Sequence, residues 1–459
     1  MGWERRLNRQ GGITMKKILS FLLMLALSLC GLVACKNDNT LLDPDKPVTL
    51  TMWHVYGEQA DSPMNKYIEE FNRTVGKEKG IIISVTMMSN ASQIGDKLVE
   101  AQADKPGAPD MPDLFFCHNN NAALLGTENL IDWKDMFTSE ELSVYVDDFI
   151  ADGYVGDELC VFPVSKSTHL LYIAGGVFER FCADTGVSYD DLSSWDGFFN
   201  VAEKYYVWSD GKPFCAIDYL LRCVELNAMS KGATSESFYT ENGWYDFNNE
   251  LMKASYMEFA ESIAKGHIVI ADLYSNTQVM TGETIAGIGS SASVLYYNDT
   301  ITYPDNTSEP MNLQVCPLPQ AGVGSNYATQ AGVGLCAYKT TEQKAEAATV
   351  FVRWFTEAQR NFDFVISTGY MPVHDGAFDK IQNHEFAKPA YENLYAALGE
   401  TKQTCTLVSE PSFANYYTKV NALYASLRTL QNDLLTKYAN GANAESIATE
   451  IWTTFEAIE

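Results

Sequence analysis

Basic side chains are scarce in this chain. Thirty-two Lys and Arg stand against 59 Asp and Glu, a formal net charge of −27 in 459 residues. So acidic a surface repels nucleic acid and anionic lipid headgroups, so no nucleic-acid partner is expected. Histidine is sparse as well. His54, His118, His169, His267, His374 and His384 form neither H-E-x-x-H nor any other ligand-like spacing, so no metal site is expected. No two of the 10 cysteines are spaced C-x-x-C, which argues against zinc and thiol-redox chemistry. Most lie in apolar stretches such as LFFC, ELCVF and VGLCAY, and read as buried free thiols rather than a disulfide framework. There is no G-x-S-x-G elbow and no Walker loop, and Gly287-Ile288-Gly289 lacks the third glycine of a dinucleotide fingerprint. No cofactor is expected. The acidic pairs Glu140-Glu141, Asp147-Asp148 and Asp190-Asp191 read as first-turn helix acids facing water, not as a hydrolase pair. The longest uncharged apolar run, Ile18 to Val33, falls short of the about 20 residues a spanning helix needs.

That run follows Met15-Lys16-Lys17, and a basic head before a short greasy stretch is the pattern of a secretory signal. Leu32-Val33-Ala34-Cys35 resembles the bacterial lipobox, where cleavage precedes a cysteine whose thiol carries diacylglycerol. Residues 1–34 are therefore expected to be a signal peptide, with 1–14 an over-extended start. Cys35 is the expected lipidation site, and the polar, turn-rich segment up to Lys46 a tether. Two or three acyl chains on one cysteine anchor firmly, which places the body at the extracytoplasmic face of a bacterial membrane.

The body opens with a strand, Val48 to Trp53, and a helix begun by Ser62-Pro63 with Met64, Tyr67, Ile68 and Phe71 on one face. Ile81 to Met87 is a second strand, a helix covers Gln93 to Ala103, and Asp113 to Cys117 is a third strand. Strand and helix in alternation predict an α/β fold with mainly parallel sheets. Further helices are expected after the caps Ser194 and Thr341, and further strands near Glu283–Gly289 and Asn312–Pro319. The tail from Phe413 reads as helix, with Tyr416, Val420, Leu423, Leu427 and Leu430 as its apolar stripe. At this length two or more domains are expected.

Ligands of open α/β sheets bind beyond the carboxyl ends of strands. Four such ends are rich in aromatic, amide, hydroxyl and glycine residues: WHVYG from Trp53, HNNN from His118, SKST from Ser165 and GSS from Gly289. A sugar offers hydroxyl rims and an apolar C–H face, and so calls for neutral dipoles beside flat rings.

Read in order, these segments resemble the extracellular solute-binding proteins that include maltose and glycerol-phosphate receptors. VTLTMWHVYG resembles the family's opening strand and loop. PDLFFCHNNNAALL resembles its second signature, and VFPVSKSTHLLYIAGG its passage between lobes. TGETIAGIGSSAS, VCPLPQAG and STGYMPVHDGAF are similar to later segments. The resemblance implies a two-lobed type II periplasmic-binding fold with a ligand cleft between lobes. Lobe 1 would hold 47–165 plus 312–368, and lobe 2 would hold 166–311 plus 369–459. It implies capture of a sugar or sugar-like solute, delivery to ABC permease transmembrane subunits, a monomer, and no catalysis. Carried over by position, the ligand contacts would be Trp53, His54, Tyr56, Asn119, Asn120, Ser165, Ser167, Asp218, Tyr219, Ser290, Ser291 and Tyr370. Ala292 stands where the family often has tryptophan, leaving Trp208, Tyr296 or Tyr370 to supply the ring. Cys117 replaces an aromatic of maltose receptors, which disfavours maltodextrin.

Two alternatives stay open. A glycerol-phosphate-type receptor of the same fold would need an arginine aimed into the cleft, for which Arg222 is the sequence's candidate. A lipid-anchored glycan hydrolase would need two carboxylates facing each other across it.

Overall fold

The computed structural model describes residues 40–56, 62–87, 91–271, 274–411, 413 and 415–458. The signal segment, Cys35 and Gly57 lie outside them. Two mixed sheets organise the chain. In the first, the opening strand Val48–His54 lies between Ile81–Met87 and Leu114–Cys117, parallel to both, and Gly334–Ala337 closes the far edge antiparallel to Leu114–Cys117. Parallel neighbours require a crossover. The helix Pro63–Arg73 makes it, burying Met64, Ile68 and Phe71 at helical spacing. Phe71 meets Phe351 and Trp354 edge-on at 5.1 and 5.2 Å, so the later helix Glu342–Phe355 covers the same face.

The second sheet runs in the order Leu313–Pro317, His169–Ala174, Ala286–Ser290, Cys215–Ile217, Ile268–Ile270. The last three are mutually parallel, and the first two pair antiparallel. The segment Leu313–Pro317 was expected in the first lobe, but its backbone is hydrogen-bonded to His169–Ala174. Likewise Asp375–Ile381, expected in the second lobe, packs against Ala358–Ile366, a helix joined to the first body by Tyr56 against Phe364 at 5.3 Å. Sequence periodicity finds a strand but not its sheet, because pairing is decided by partners far along the chain.

Extended segments pass between the two bodies. Ser167 and Ala331 exchange both backbone hydrogen bonds at 2.9 Å, and Tyr327–Gln330 runs parallel to Thr406–Ser409. Buried Asn361 ties two further segments, donating to the Val164 carbonyl at 2.8 Å and accepting from the Val373 N–H at 2.9 Å. The long helix Tyr416–Ala439 and the last helix Ala444–Glu456 pack with Glu250–Ala264. Among the described residues eight cysteines are free, and Cys117, Cys160, Cys215, Cys223 and Cys336 are buried. Among the described residues no helix is long and apolar enough to cross a membrane.

Candidate functional site

Two cavities open where the carboxyl ends of both sheets meet the crossing segments. The larger, about 290 Å³, is walled by Asp218, Tyr219 and Tyr274 from strand ends of the second sheet and by Tyr417, Asn421, Tyr424 and Arg428 from the helix Tyr416–Ala439. The smaller, about 40 Å³, is walled by His118, Asn119, Asn120 and Asp152 from the first body and by Gln330, Ala331 and Gly332 from a crossing segment. Glu410, Pro411 and Tyr417 line both.

Asn119 and Asn120 begin the helix Asn119–Leu125, directly after the strand Leu114–Cys117. Asn119 donates its amide to the Asp152 carbonyl, and Asn120 accepts from the Asn121 N–H at 2.9 Å. Gln330 is 4% exposed; its amide donates to the Asp148 carbonyl at 3.0 Å, while its carbonyl oxygen has no partner. A buried acceptor left unpaired at a cavity wall is costly unless water or a ligand reaches it.

On the opposite wall, Asp218 follows the strand Cys215–Ile217 and accepts from the Ser275 N–H at 2.6 Å. Burial pushes its carboxyl up to about 7, against the opposing pull of the Ser275 hydrogen bonds. Gly289 makes room for it, since a Cβ there would lie 2.9 Å from the Asp218 carboxylate. Tyr219 stacks on His169 at 3.9 Å with an 8° tilt. Burial, then the nearby Arg222 charge, lower His169 to about 3. It is therefore neutral at pH 7, and its 3.7 Å approach to Glu410 is not an ion pair. Glu410 accepts from the Tyr417 hydroxyl at 2.8 Å, and burial raises its carboxyl above the ordinary range.

The other expected contacts stand differently. Trp53 is 4% exposed and packed with Ile94, Leu98 and Phe115. Its ring is part of the core. His54 is fully buried, bonded to Asn65 at 2.8 Å and to the Tyr56 N–H at 3.2 Å. Tyr56 bonds Ser165 at 3.2 Å and meets Tyr370 edge-on at 6.3 Å, so these three form one group beneath the crossing. Ser167 pairs with Ala331 through its backbone. Ser290 caps the short turn that follows it by accepting from the Ala292 N–H at 3.3 Å, and Ser291 is buried with an unpaired hydroxyl. Of the substitute rings, Trp208 is turned away, donating to Asp184 at 2.9 Å and packing on Phe181 at 5.5 Å. Tyr296 is 56% exposed.

Arg222 borders the larger cavity but is largely committed within the protein. It is 6% exposed, and four of its five N–H donors go to Thr329 at 2.9 Å, Glu225 at 2.8 Å and the carbonyls of Val408 and Ser409 at 2.7 and 2.9 Å. The residues that sequence reasoning missed are Glu410, Tyr417, Asn421, Tyr424 and Arg428. A signal was present: Tyr417, Asn421, Tyr424 and Arg428 recur at helical spacing beside the apolar stripe of the same helix. No group of three His, Cys, Asp or Glu is placed to hold a metal among the described residues.

The sequence profile of the bacterial extracellular solute-binding proteins matches residues 66–392. No curated protein matches the sequence. Several solved structures share the fold. The cyclic alpha-maltosyl-1,6-maltose binding protein of Arthrobacter globiformis superposes with TM-score 0.66 at 15% identity, covering 90% of this chain and 99% of its own. The sugar-binding protein MalE of Xanthomonas citri gives 0.65 at 15% identity over 89% and 97%. UgpB of Mycobacterium tuberculosis, in complex with glycerophosphocholine, gives 0.60 at 18% identity over 90% and 98%. The fold is that of the type II periplasmic solute-binding proteins, and this chain belongs to the bacterial extracellular solute-binding protein family.

Proposed function

We propose that this chain is the solute receptor of an ABC importer, that it holds a sugar or sugar-like solute between its two bodies, and that it is not an enzyme. One observation carries this reading: strand ends of both sheets deliver amides, tyrosines and carboxyls to a pair of cavities joined at Glu410 and Tyr417. Neutral hydrogen-bonding groups beside flat rings match a polyol with an apolar face. Proteins of the same fold bind cyclic alpha-maltosyl-1,6-maltose and glycerophosphocholine, which supports a hydroxyl-rich ligand. Rotation of one body against the other would close the cleft on the solute, and the closed form would be what a permease recognises. Lipidation at Cys35 would hold the receptor at the outer face of the membrane.

Thermal denaturation against mono- and oligosaccharides, polyols and glycerol phosphates tests this. A ligand that binds only the native state raises stability by RT ln(1 + [L]/Kd), about 2.7 kcal/mol at a hundredfold excess over Kd. No shift with any member of the panel would refute it. Turnover of a chromogenic glycoside would replace it with the hydrolase reading, since Asp218 and Glu410 border one cavity. Cys35→Ala should release the protein into the medium; continued membrane attachment would refute the anchor.

A further inference from the structure

We propose that Arg428 binds an anionic substituent (carboxylate, phosphate or sulfate) on the captured solute, making this a receptor for acidic sugars or polyol esters. The proposal rests on the receptor reading and narrows its substrate class. The larger cavity extends along the helix Tyr416–Ala439, which runs beside the edge strand Ile268–Ile270 of the second sheet. Arg428 reaches the cavity wall from that helix. One N–H is spent on the Ala271 carbonyl at 2.9 Å, which fixes the guanidinium in place. Its remaining donors have no partner among the described residues, and it joins no ion pair there.

Of the other described arginines, Arg180, Arg222, Arg353 and Arg360 each hold a carboxylate, at 2.7, 2.8, 2.7 and 3.2 Å. Arg73 also gives one N–H to a carbonyl, that of Glu69 at 3.3 Å, and joins no ion pair among the described residues, but it stands exposed at a helix end and lines no cavity with Arg428. Held at a cavity wall with donors to spare, the Arg428 guanidinium is placed where an anionic group could reach it. The two carboxyls of the same cavity do not take that place. Asp218 is committed to Ser275 and Glu410 to Tyr417. The charged groups that act most on Glu410 are Arg222, Glu225 and Lys166. A planar guanidinium with free donors suits the paired oxygens of a carboxylate or phosphate. Tyr219, Tyr274 and Tyr417 line the rest of the wall and would take the hydroxylated remainder. The volume, about 290 Å³, lies near the lower end of pockets that hold small molecules, about 300 Å³.

The test measures calorimetric affinity of the full chain and of Arg428→Gln for matched probes: glucose with glucuronate, glucose 6-phosphate and glucose 6-sulfate, and glycerol with glycerol 3-phosphate. At least one acidic member should bind about tenfold or more tighter than its neutral partner, and which one does identifies the anion. Arg428→Gln should erase that ratio by weakening the acidic probe about tenfold or more, with a much smaller loss for the neutral partner. If Arg428→Gln fails to fold, Arg428→Lys keeps the charge but not the fork, and should lose affinity several-fold for anionic probes alone. Equal binding of neutral and acidic probes, or a ratio unaltered by the substitution, overturns the proposal and leaves the receptor reading standing. If neither these probes nor the wider panel bind, the receptor reading itself falls.

Discussion

Replacing Asp218 by asparagine should make the protein more stable at pH 8 and leave it unchanged near pH 3. Burial raises this carboxyl from 3.8 to about 7 in the folded chain, so between those values the native state binds a proton that the unfolded state releases. Stability then falls as pH rises, by about 1.4 kcal/mol per pH unit. Over the roughly 3 pH units involved, the ionised carboxylate costs up to about 4 kcal/mol above pH 7. The favourable contribution is whole below 3.8 and gone above 7. Asparagine keeps the oxygen that accepts from Ser275 at 2.6 Å and carries no charge to desolvate. Urea denaturation of both forms from pH 3 to pH 8 isolates the group, because the many other carboxylates are common to the pair. The difference should open across the window from pH 4 to pH 7 and then level off. A variant equally stable, or less stable, at pH 8 would refute the burial argument. The cost to the native protein has a use under the receptor reading: an ionised Asp218 is a strong acceptor for solute hydroxyls, so Asp218→Asn should also weaken binding.

Trp53→Ala and Asn120→Ala should part company. The first empties a core site beside Phe115 and Leu98 and should cost about 3–5 kcal/mol of stability, whereas the second should weaken solute binding with the urea midpoint nearly unchanged. Arg222→Met leaves Glu225 buried without its charge partner, held only by the Tyr239 and Tyr245 hydroxyls, and should cost about 3–5 kcal/mol in urea unfolding; a neutral result would show the ion pair to be dispensable. The thiols of Cys117, Cys160, Cys215, Cys223 and Cys336 are buried, and burial holds those of Cys160, Cys215, Cys223 and Cys336 protonated. An aromatic disulfide reagent should leave these five unreacted in the native protein and titrate them in denaturant.

Much of the fold was legible because its signals are local. Pro63 opens a helix, Ser194 accepts from the Gly197 N–H at the head of another, and Thr341 caps a third through Lys344 at 3.2 Å. Period-two and period-3.6 patterns placed most of the expected strands and helices within a residue or two, while the strand expected from Glu283 begins at Ala286 and the tail helix expected from Phe413 begins at Tyr416. Sheet membership was not legible for Leu313–Pro317, since its partner His169–Ala174 lies some 140 residues earlier along the chain. At the site, the rule of strand ends pointed to Asn119 and Asn120, and the family resemblance to Asp218 and Tyr219; all four border the two cavities. Trp53 and His54 sit at such an end too, yet the helix Ala91–Gln102 and Asn65 cover them. The wall built by Tyr417 and Arg428 comes from a helix, which that rule does not address. Arg222 was noticed for its charge, but only the coordinates show where its donors go.

The bonds of Arg222 bear on how such a molecule shuts. One guanidinium fastens the helix Leu220–Ser230 to Thr329 on one crossing strand and to Val408 and Ser409 on its neighbour. Both strands are therefore tied to the second body through that one side chain. Under the receptor reading, bending between the bodies is expected past Gln330, at Ala331 and Gly332, where the φ of +124° at Gly332 suits glycine alone.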